Sequence, residues 1–356
     1  MNKHAVHPSF SIHGRTISFN DLTEVSYSLI KEGEEFEKQI GEFLLNWTDD
    51  SETITVKTSG STGAPKTILL KKEQMINSAL ATGSYFNLKS RSTALLCLPA
   101  TYIAGKMMLV RAMVLGLDIH FLPPSSNPLE GVKEFFDFGA MVPMQVGNSL
   151  SQLHQIRNLI IGGAPISTSL REELKSISNN SYETYGMTET ITHMAVKLIN
   201  SGAVEGSPFL VLPDVEISID DRSCLVINAP KISDETVVTN DVVELVSKSE
   251  FQWLGRFDNV INSGGIKFSP EQIEAKISNI LDQPFFITSL PDKKLGEQLV
   301  LVIEGKVKEN DVLKKITSSP LLSKYEVPRQ IKTIPVFLRT DSGKVKRKET
   351  MTLLKS

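Results

Sequence analysis

Apolar and polar positions along this chain follow two rhythms. Ile30, Phe36, Ile40, Phe43 and Leu44 recur at helical spacing and predict one amphipathic helix from Leu22 to Trp47. The alternating Ile54-Thr55-Val56-Lys57 and the run Ile68-Leu69-Leu70 read as strands on either side of a polar loop. From residue 74 to about 190, helical stretches alternate with short apolar runs at Ala94 to Leu98, Asp118 to Leu122 and Leu159 to Ile161. That alternation is the pattern of a largely parallel, doubly wound sheet. Between about 196 and 255 the chain becomes β-rich, with Val215 to Ile219, Cys224 to Ile227 and Val242 to Val246 as strand candidates. Ser269-Pro270-Glu271-Gln272 then opens a helix, with Ser269 as N-cap, Pro270 in the first turn and Gln272 completing a capping box. The expected fold is α/β. A large domain over 1–257 combines the doubly wound sheet with a β-rich part, and a small mobile α+β domain covers 258–356.

Composition narrows the function classes. A chain of 356 residues that is 40% hydrophobic can bury the cores of two domains. A net charge of −3 and a pI near 6.1 give no global attraction to nucleic acid or to an anionic membrane. Cys97 and Cys224 are far apart in apolar runs, as reduced core thiols would be, and no zinc-type spacing occurs. The polar start and the absence of an apolar run of about 18 residues give the expectation of a soluble, cytoplasmic protein.

The candidate chemistry begins with Thr58-Ser59-Gly60-Ser61-Thr62-Gly63-Ala64-Pro65-Lys66-Thr67. Four hydroxyls and two glycines in six positions let backbone N–H and side-chain O–H groups converge on an anion, and Lys66 adds a mobile positive charge. A Walker A loop needs glycine where Pro65 stands, and proline has no N–H to give a phosphate. Further along, turns follow the apolar runs: Pro99 to Gly105, then Gly162-Gly163-Ala164-Pro165, then Tyr185-Gly186-Met187-Thr188-Glu189-Thr190. Ligands on such sheets bind at the carboxyl ends of strands. Asp-Ser-Gly at 341–343 reads as a tight turn that places Lys344 at its tip, within the basic tail 344–348.

In this order these motifs resemble the adenylate-forming superfamily of acyl-CoA synthetases, luciferases and adenylation domains. Thr58 to Lys66 matches T-S-G-[ST]-T-G-x-P-K at every fixed position, and Tyr185 to Glu189 matches Y-G-x-T-E. Thr239-Asn240-Asp241 resembles T-G-D with asparagine for glycine, and Gly255-Arg256-Phe257-Asp258 resembles the hinge G-R-x-D. The resemblance implies an ATP-dependent enzyme that makes an acyl-AMP and passes the acyl group to a thiol. It implies that the 58–66 loop, with Thr58, Ser59, Gly60, Ser61, Thr62, Gly63 and Lys66, holds phosphates. Gly163, Ala164, Pro165, Tyr185 and Gly186 would pack around adenine, Asp241 would bind the ribose and Arg256 would contact the nucleotide. Thr188 would reach the phosphates and Glu189 would help to hold Mg²⁺, a hard cation that takes few protein ligands. Lys344 would bridge carboxylate and α-phosphate, Asp258 would be the hinge, and Gly264 and Gly265 would lie beside the pantetheine arm of coenzyme A.

Leu95-Leu96-Cys97-Leu98-Pro99, Gly105 with Arg111 six residues on, and Val142-Pro143-Met144-Gln145 further resemble the o-succinylbenzoate–CoA ligases of menaquinone synthesis. A dicarboxylate leaves one charge unreacted in a partly dry pocket, and Arg111, with Lys106, is the expected partner, beside Tyr102 and Gly105. Tyr102 and Met144 depart from the histidine and threonine common there, and the region before the phosphate loop is shorter. Another aryl- or acyl-CoA ligase, a standalone adenylation enzyme loading a carrier protein, and a non-catalytic nucleotide-binding protein stay open. So does assembly as a homodimer. Neither nucleic acid nor membrane is an expected partner.

Overall fold

The computed structural model describes residues 6–57, 67–204, 206–339 and 345–354. Its centre is a 13-stranded sheet. From one edge the strands are Glu216–Ile219, Cys224–Asn228, Val237–Ser247, Glu250–Arg256, Phe209–Val211, His193–Leu198, Asn180–Gly186, Ile156–Ile161, Phe136–Met141, Thr93–Leu96, Asp118–Phe121, Ser11–Ile12 and Arg15–Thr16. The strands from Asn180–Gly186 to Ser11–Ile12 are parallel. Beyond Asn180–Gly186 the pairing turns antiparallel and stays so to the far edge.

Both faces of the parallel part are covered. Ala94, Leu96 and Ile160 point into one core, shared with Phe43, Leu44, Met75 and Met108 of the helices on that side. Leu95, Leu159 and Ile161 point into the other, against Leu170 and Leu174 of the helix Thr168–Lys175. Alternation along each strand sends neighbouring residues to opposite faces, which is why these runs are continuously apolar.

The single helix expected from Leu22 to Trp47 is two, Leu22–Glu32 and Glu35–Thr48. Gly33 ends the first, its N–H donating to the Leu29 carbonyl, and Glu34 starts the second, its N–H donating to the Glu37 carboxylate 2.7 Å away. The apolar spacing continues through the break because both helices pack on the same core.

The strands Thr53–Lys57 and Thr67–Lys71 form a separate antiparallel pair, with Lys57 opposite Thr67. A smaller sheet is built from Ile261–Ser263, Ile266–Phe268, Phe285–Asp292, Gly296–Glu304 and Gln330–Ile334. Leu299, Leu301 and Ile303 face one core, with Ile273, Ile277 and Ile316, while Val300 and Val302 face another, with Phe286 and Phe337. Pro270–Ile277 is a helix with Ser269 as N-cap, but the expected capping box is not made: the Ser269 side chain accepts no cap bond, and the Gln272 N–H donates to the Ser269 carbonyl. Among the described residues no helix is long and apolar enough to cross a membrane.

Candidate active site

The carboxyl ends of four adjacent parallel strands carry the segments that the sequence singled out. Thr93–Leu96 leads to Pro99–Gly105, Phe136–Met141 to Pro143, Ile156–Ile161 to Gly163 and Asn180–Gly186 to Thr188–Glu189. Gln145 ties two of these loops together: its buried side chain accepts from the Val142 N–H and donates to the carbonyls of Cys97 and Ser125. The candidate site residues Thr58, Ser59, Gly60, Ser61, Thr62, Gly63, Lys66 and Lys344 lie outside the described residues. Their flanks are paired, Lys57 with Thr67 and Arg339 with Val345.

Tyr185 and Asp241 meet. The Tyr185 hydroxyl donates to Asp241 Oδ2 at 2.7 Å, and Trp253 Nε1 donates to Asp241 Oδ1 at 3.1 Å. Burial, reinforced by the Asp241 charge, raises the Tyr185 pKa, so the phenol keeps its proton. Arg256 stands 3.7 Å from Asp241 and also 3.7 Å from Asp258, which accepts from the Asn240 amide at 3.2 Å. Arg222 holds this strand end from behind, donating to the Asn240 side chain and the Thr239 carbonyl. Asp241 is thus a buried carboxylate fixed by two donors, with lone pairs left for further hydroxyls. Trp253 and Arg222 were missed in the sequence because neither lies in a motif. They reach the site only through strand pairing, in which Asp241 sits opposite Arg256.

Thr188 and Glu189 occupy a short 3₁₀ turn, Thr188–Thr190, at the end of Asn180–Gly186, with Glu189 exposed. The next residue is strained. Ile191 has φ 64° and ψ −60°, and the Thr192 N–H donates to the Thr190 carbonyl at 2.7 Å. That is a γ-turn in a region a β-branched residue rarely enters. Gly186 is required here by close approach, since a Cβ would lie 2.2 Å from the Thr192 carbonyl oxygen and 2.5 Å from His193 Cα.

The helix Ile103–Leu115 follows the first of these loops, and almost all of it from Gly105 to Met113 is buried. Gly105 lets its first turn touch the loop, because a Cβ there would meet the Pro99 carbonyl oxygen at 2.3 Å. Arg111, with only 1% of its surface exposed, is surrounded by neutral groups. It reaches Thr82 Oγ1 at 3.3 Å, Thr192 Oγ1 at 3.5 Å, His193 Nδ1 at 3.4 Å and Met108 Sδ at 3.6 Å. No carboxylate is among these partners, and burial pushes the Arg111 pKa down to about 9.

Lys106 has other neighbours in this structure. Its ammonium donates to the Ala100 carbonyl at 2.8 Å and lies 5.1 Å from the Phe43 ring centre. Five residues along a helix turn a side chain well away from the starting face, so the two cations have different neighbours. Tyr102, half exposed, is the residue preceding the helix.

Gly264 and Gly265, at φ 61° and 84°, form the two-residue turn between Ile261–Ser263 and Ile266–Phe268. Positive φ at both positions is what this kind of hairpin turn demands. They belong to the smaller sheet.

A parallel sheet with its loops gathered at the carboxyl edge, at the point where pairing turns antiparallel, defines an α/β protein built to bind a ligand along that edge. The sequence pattern of the family described as AMP-binding enzyme matches residues 31–229, and this chain belongs to that family. A solved acyl-CoA synthetase (AMP-forming)/AMP-acid ligase II-like protein from Dyadobacter fermentans is 35% identical, with TM-score 0.62, covering 93% of this chain and 98% of that one. A 2-succinylbenzoate–CoA ligase from Listeria monocytogenes is 25% identical over 94% of this chain and 74% of its own length. The o-succinylbenzoate coenzyme A synthetase of Bacillus subtilis, solved with ATP and magnesium, shares the fold at 18% identity and TM-score 0.73, covering 94% of this chain and 82% of that one.

Proposed function

We propose that this chain is an AMP-forming acid–thiol ligase that converts o-succinylbenzoate to its coenzyme A thioester. In the first step a carboxylate oxygen attacks the α-phosphate of ATP, and pyrophosphate leaves. In the second the thiol sulfur of coenzyme A attacks the acyl carbon of the acyl-AMP, and AMP leaves. The relatives from Listeria and Bacillus carry the name of this substrate. The observation that carries the reading is Arg111, a buried guanidinium with no acidic partner among the described residues, which reaches Thr192, two residues beyond the Thr188–Thr190 turn. A buried charge is costly until paired, and the unreacted carboxylate of a diacid supplies the pair.

The other residues take roles in that reaction. Tyr185 offers its ring face to adenine while its hydroxyl fixes Asp241, whose free lone pairs accept the ribose hydroxyls. Arg256 faces the same carboxylate and screens it from the phosphates. The 58–66 loop cradles the phosphates. Glu189 is exposed at the sheet edge, and no group of three or more His, Cys, Asp or Glu able to hold a metal occurs among the described residues. One carboxylate with water and phosphate oxygens is the donor set Mg²⁺ prefers, so Glu189 would hold it. When bound, that ion neutralises charge on the triphosphate. Lys344 places a cation between the two anions that approach in the first step. The domain 258–356 swings about Asp258 to withdraw it and bring Gly264 and Gly265 to the pantetheine arm. The enzyme works in the cytoplasm, as a homodimer.

The test is carboxylate-dependent exchange of pyrophosphate into ATP, with o-succinylbenzoate beside benzoate, short fatty acids and amino acids, and with Lys344→Ala as control. Exchange confined to o-succinylbenzoate and lost in Lys344→Ala, with ATP binding kept, supports the proposal. Exchange with another acid overturns the substrate, and exchange unaffected by Lys344→Ala overturns the mechanism.

A further inference from the structure

Arg111 is buried beside a histidine. His193 Nδ1 lies 3.4 Å from Arg111 Nη2, and a guanidinium has donors only. Nδ1 must therefore be the lone-pair nitrogen, and the ring's proton sits on Nε2. That Nε2–H is buried and has no hydrogen-bond partner among the described residues. An unpaired buried donor costs about 1–3 kcal/mol, so the arrangement sacrifices one end of the ring to give the other to Arg111.

We propose that His193 is a positioning residue that aims the Arg111 guanidinium at the anionic end of the substrate; this rests on the reading of Arg111 given above. Nε2 borders only a small space. The cavity that His193 borders, with Asn77, Ala81, Leu212 and Ile232, has a volume of about 20 Å³. That is room for about one water. The charged residues on its wall, Asp214 and Lys231, are paired with each other at 2.8 Å and leave Arg111 as the cation on the ring.

The backbone holds the ring in place. The γ-turn at Ile191 and the close approach of Gly186 to Thr192 and His193 fix where the strand His193–Leu198 begins. With Thr82, Thr192 and Met108, His193 gives the guanidinium four weak acceptors and, among the described residues, no anion. Such a cradle sets direction without neutralising the charge.

Two isosteres separate this role from simple packing. Asparagine places an amide oxygen where Nδ1 stands, and glutamine extends its amide towards Nε2. His193→Asn should keep KM for o-succinylbenzoate within about threefold of wild type, whereas His193→Gln should raise it at least about tenfold (about 1.4 kcal/mol) with kcat little changed. The two mono-acid analogues, each lacking one carboxylate, should separate: use of the one without the group facing Arg111 should be the same in all three proteins. Equal losses for diacid and both analogues would overturn the proposal. A substrate-free measurement accompanies it: ¹⁵N shifts of His193 should show a bare Nδ1 and a protonated Nε2, and the Nδ1 signal should move in Arg111→Met. A proton on Nδ1, or no response to Arg111→Met, would overturn the inference. Failure of wild type to use o-succinylbenzoate would instead count against the substrate reading, and the tautomer result then decides the positioning role alone.

Discussion

Tyr185 and Asp241 are 56 residues apart in sequence and joined by a 2.7 Å hydrogen bond from phenol to carboxylate. A bond to a charged group contributes roughly 1.5–3 kcal/mol. Tyr185→Phe keeps the ring and removes the donor, so the carboxylate keeps Trp253 but loses one of its two fixed neighbours. The expected result is an ATP Kd raised about tenfold or more, with the fold intact by circular dichroism. Calorimetric titration with ATP checks it, and an unchanged Kd would show that Asp241 needs no help in facing the ribose.

Arg111 separates stability from function. Arg111→Met keeps the length of the chain and removes a buried charge, and such replacements are often neutral or stabilising. Thermal unfolding should therefore move little or upward. Arg111→Ala leaves a hole and should cost about 2–5 kcal/mol, as large core truncations do. In pyrophosphate exchange both should lose the diacid by about 30-fold or more, the effect of leaving a carboxylate without its buried partner. A mono-acid should be affected far less.

Gly186→Ala should be among the most damaging small substitutions. The added methyl meets backbone at 2.2 and 2.5 Å, and backbone cannot rotate away as a side chain can. A loss of about 1–3 kcal/mol is expected from overpacking, together with lost activity, because the displaced segment carries Thr192 and His193. Urea unfolding and exchange activity, measured on the same protein, check both. Gly163→Ala, at φ 82° but 3.4 Å from the nearest side-chain atom, should cost about 1–2 kcal/mol, the penalty for left-handed backbone.

Stability should also depend on pH through His193. Burial and then the Arg111 charge hold its pKa well below the ordinary 6.5. Between the folded-state pKa and 6.5 the unfolded chain binds more protons than the native one. The stabilisation is therefore complete above about pH 6.5 and lost as pH falls below it, with a slope of up to about 1.4 kcal/mol per pH unit. His13, also held low, chiefly by burial, adds a loss of the same sign. Wild type minus His193→Asn isolates one proton: the difference should be flat above pH 7 and steep from 6 to 5 (approximate bounds from the unfolded pKa). Parallel curves would mean that His193 is not held neutral.

Local rules made much of this protein legible in its sequence. The runs at 94–98 and 159–161 became parallel strands because continuous apolar runs suit strands buried on both faces, and 118–122 became one through its alternating Ile119 and Phe121. The Tyr185–Glu189 and Gly162–Pro165 segments fell at strand ends because glycine and turn residues cannot continue a buried strand. Position on a helix was legible too, but not its consequence: Lys106 and Arg111 are close in sequence, and only packing against Phe43 on one side and Thr82 on the other sent them to different places. The break at Gly33 was hidden because two helices packing on one core keep one apolar rhythm. What tertiary structure alone decided is which distant polar groups share the interior. Trp253 was delivered to Asp241 by strand register, and His193 to Arg111 by a strained turn at Ile191. The sequence determined the chemistry carried at each position, since that is a property of single residues. The pairing of those residues is a property of long-range register and close packing, and no local pattern records it.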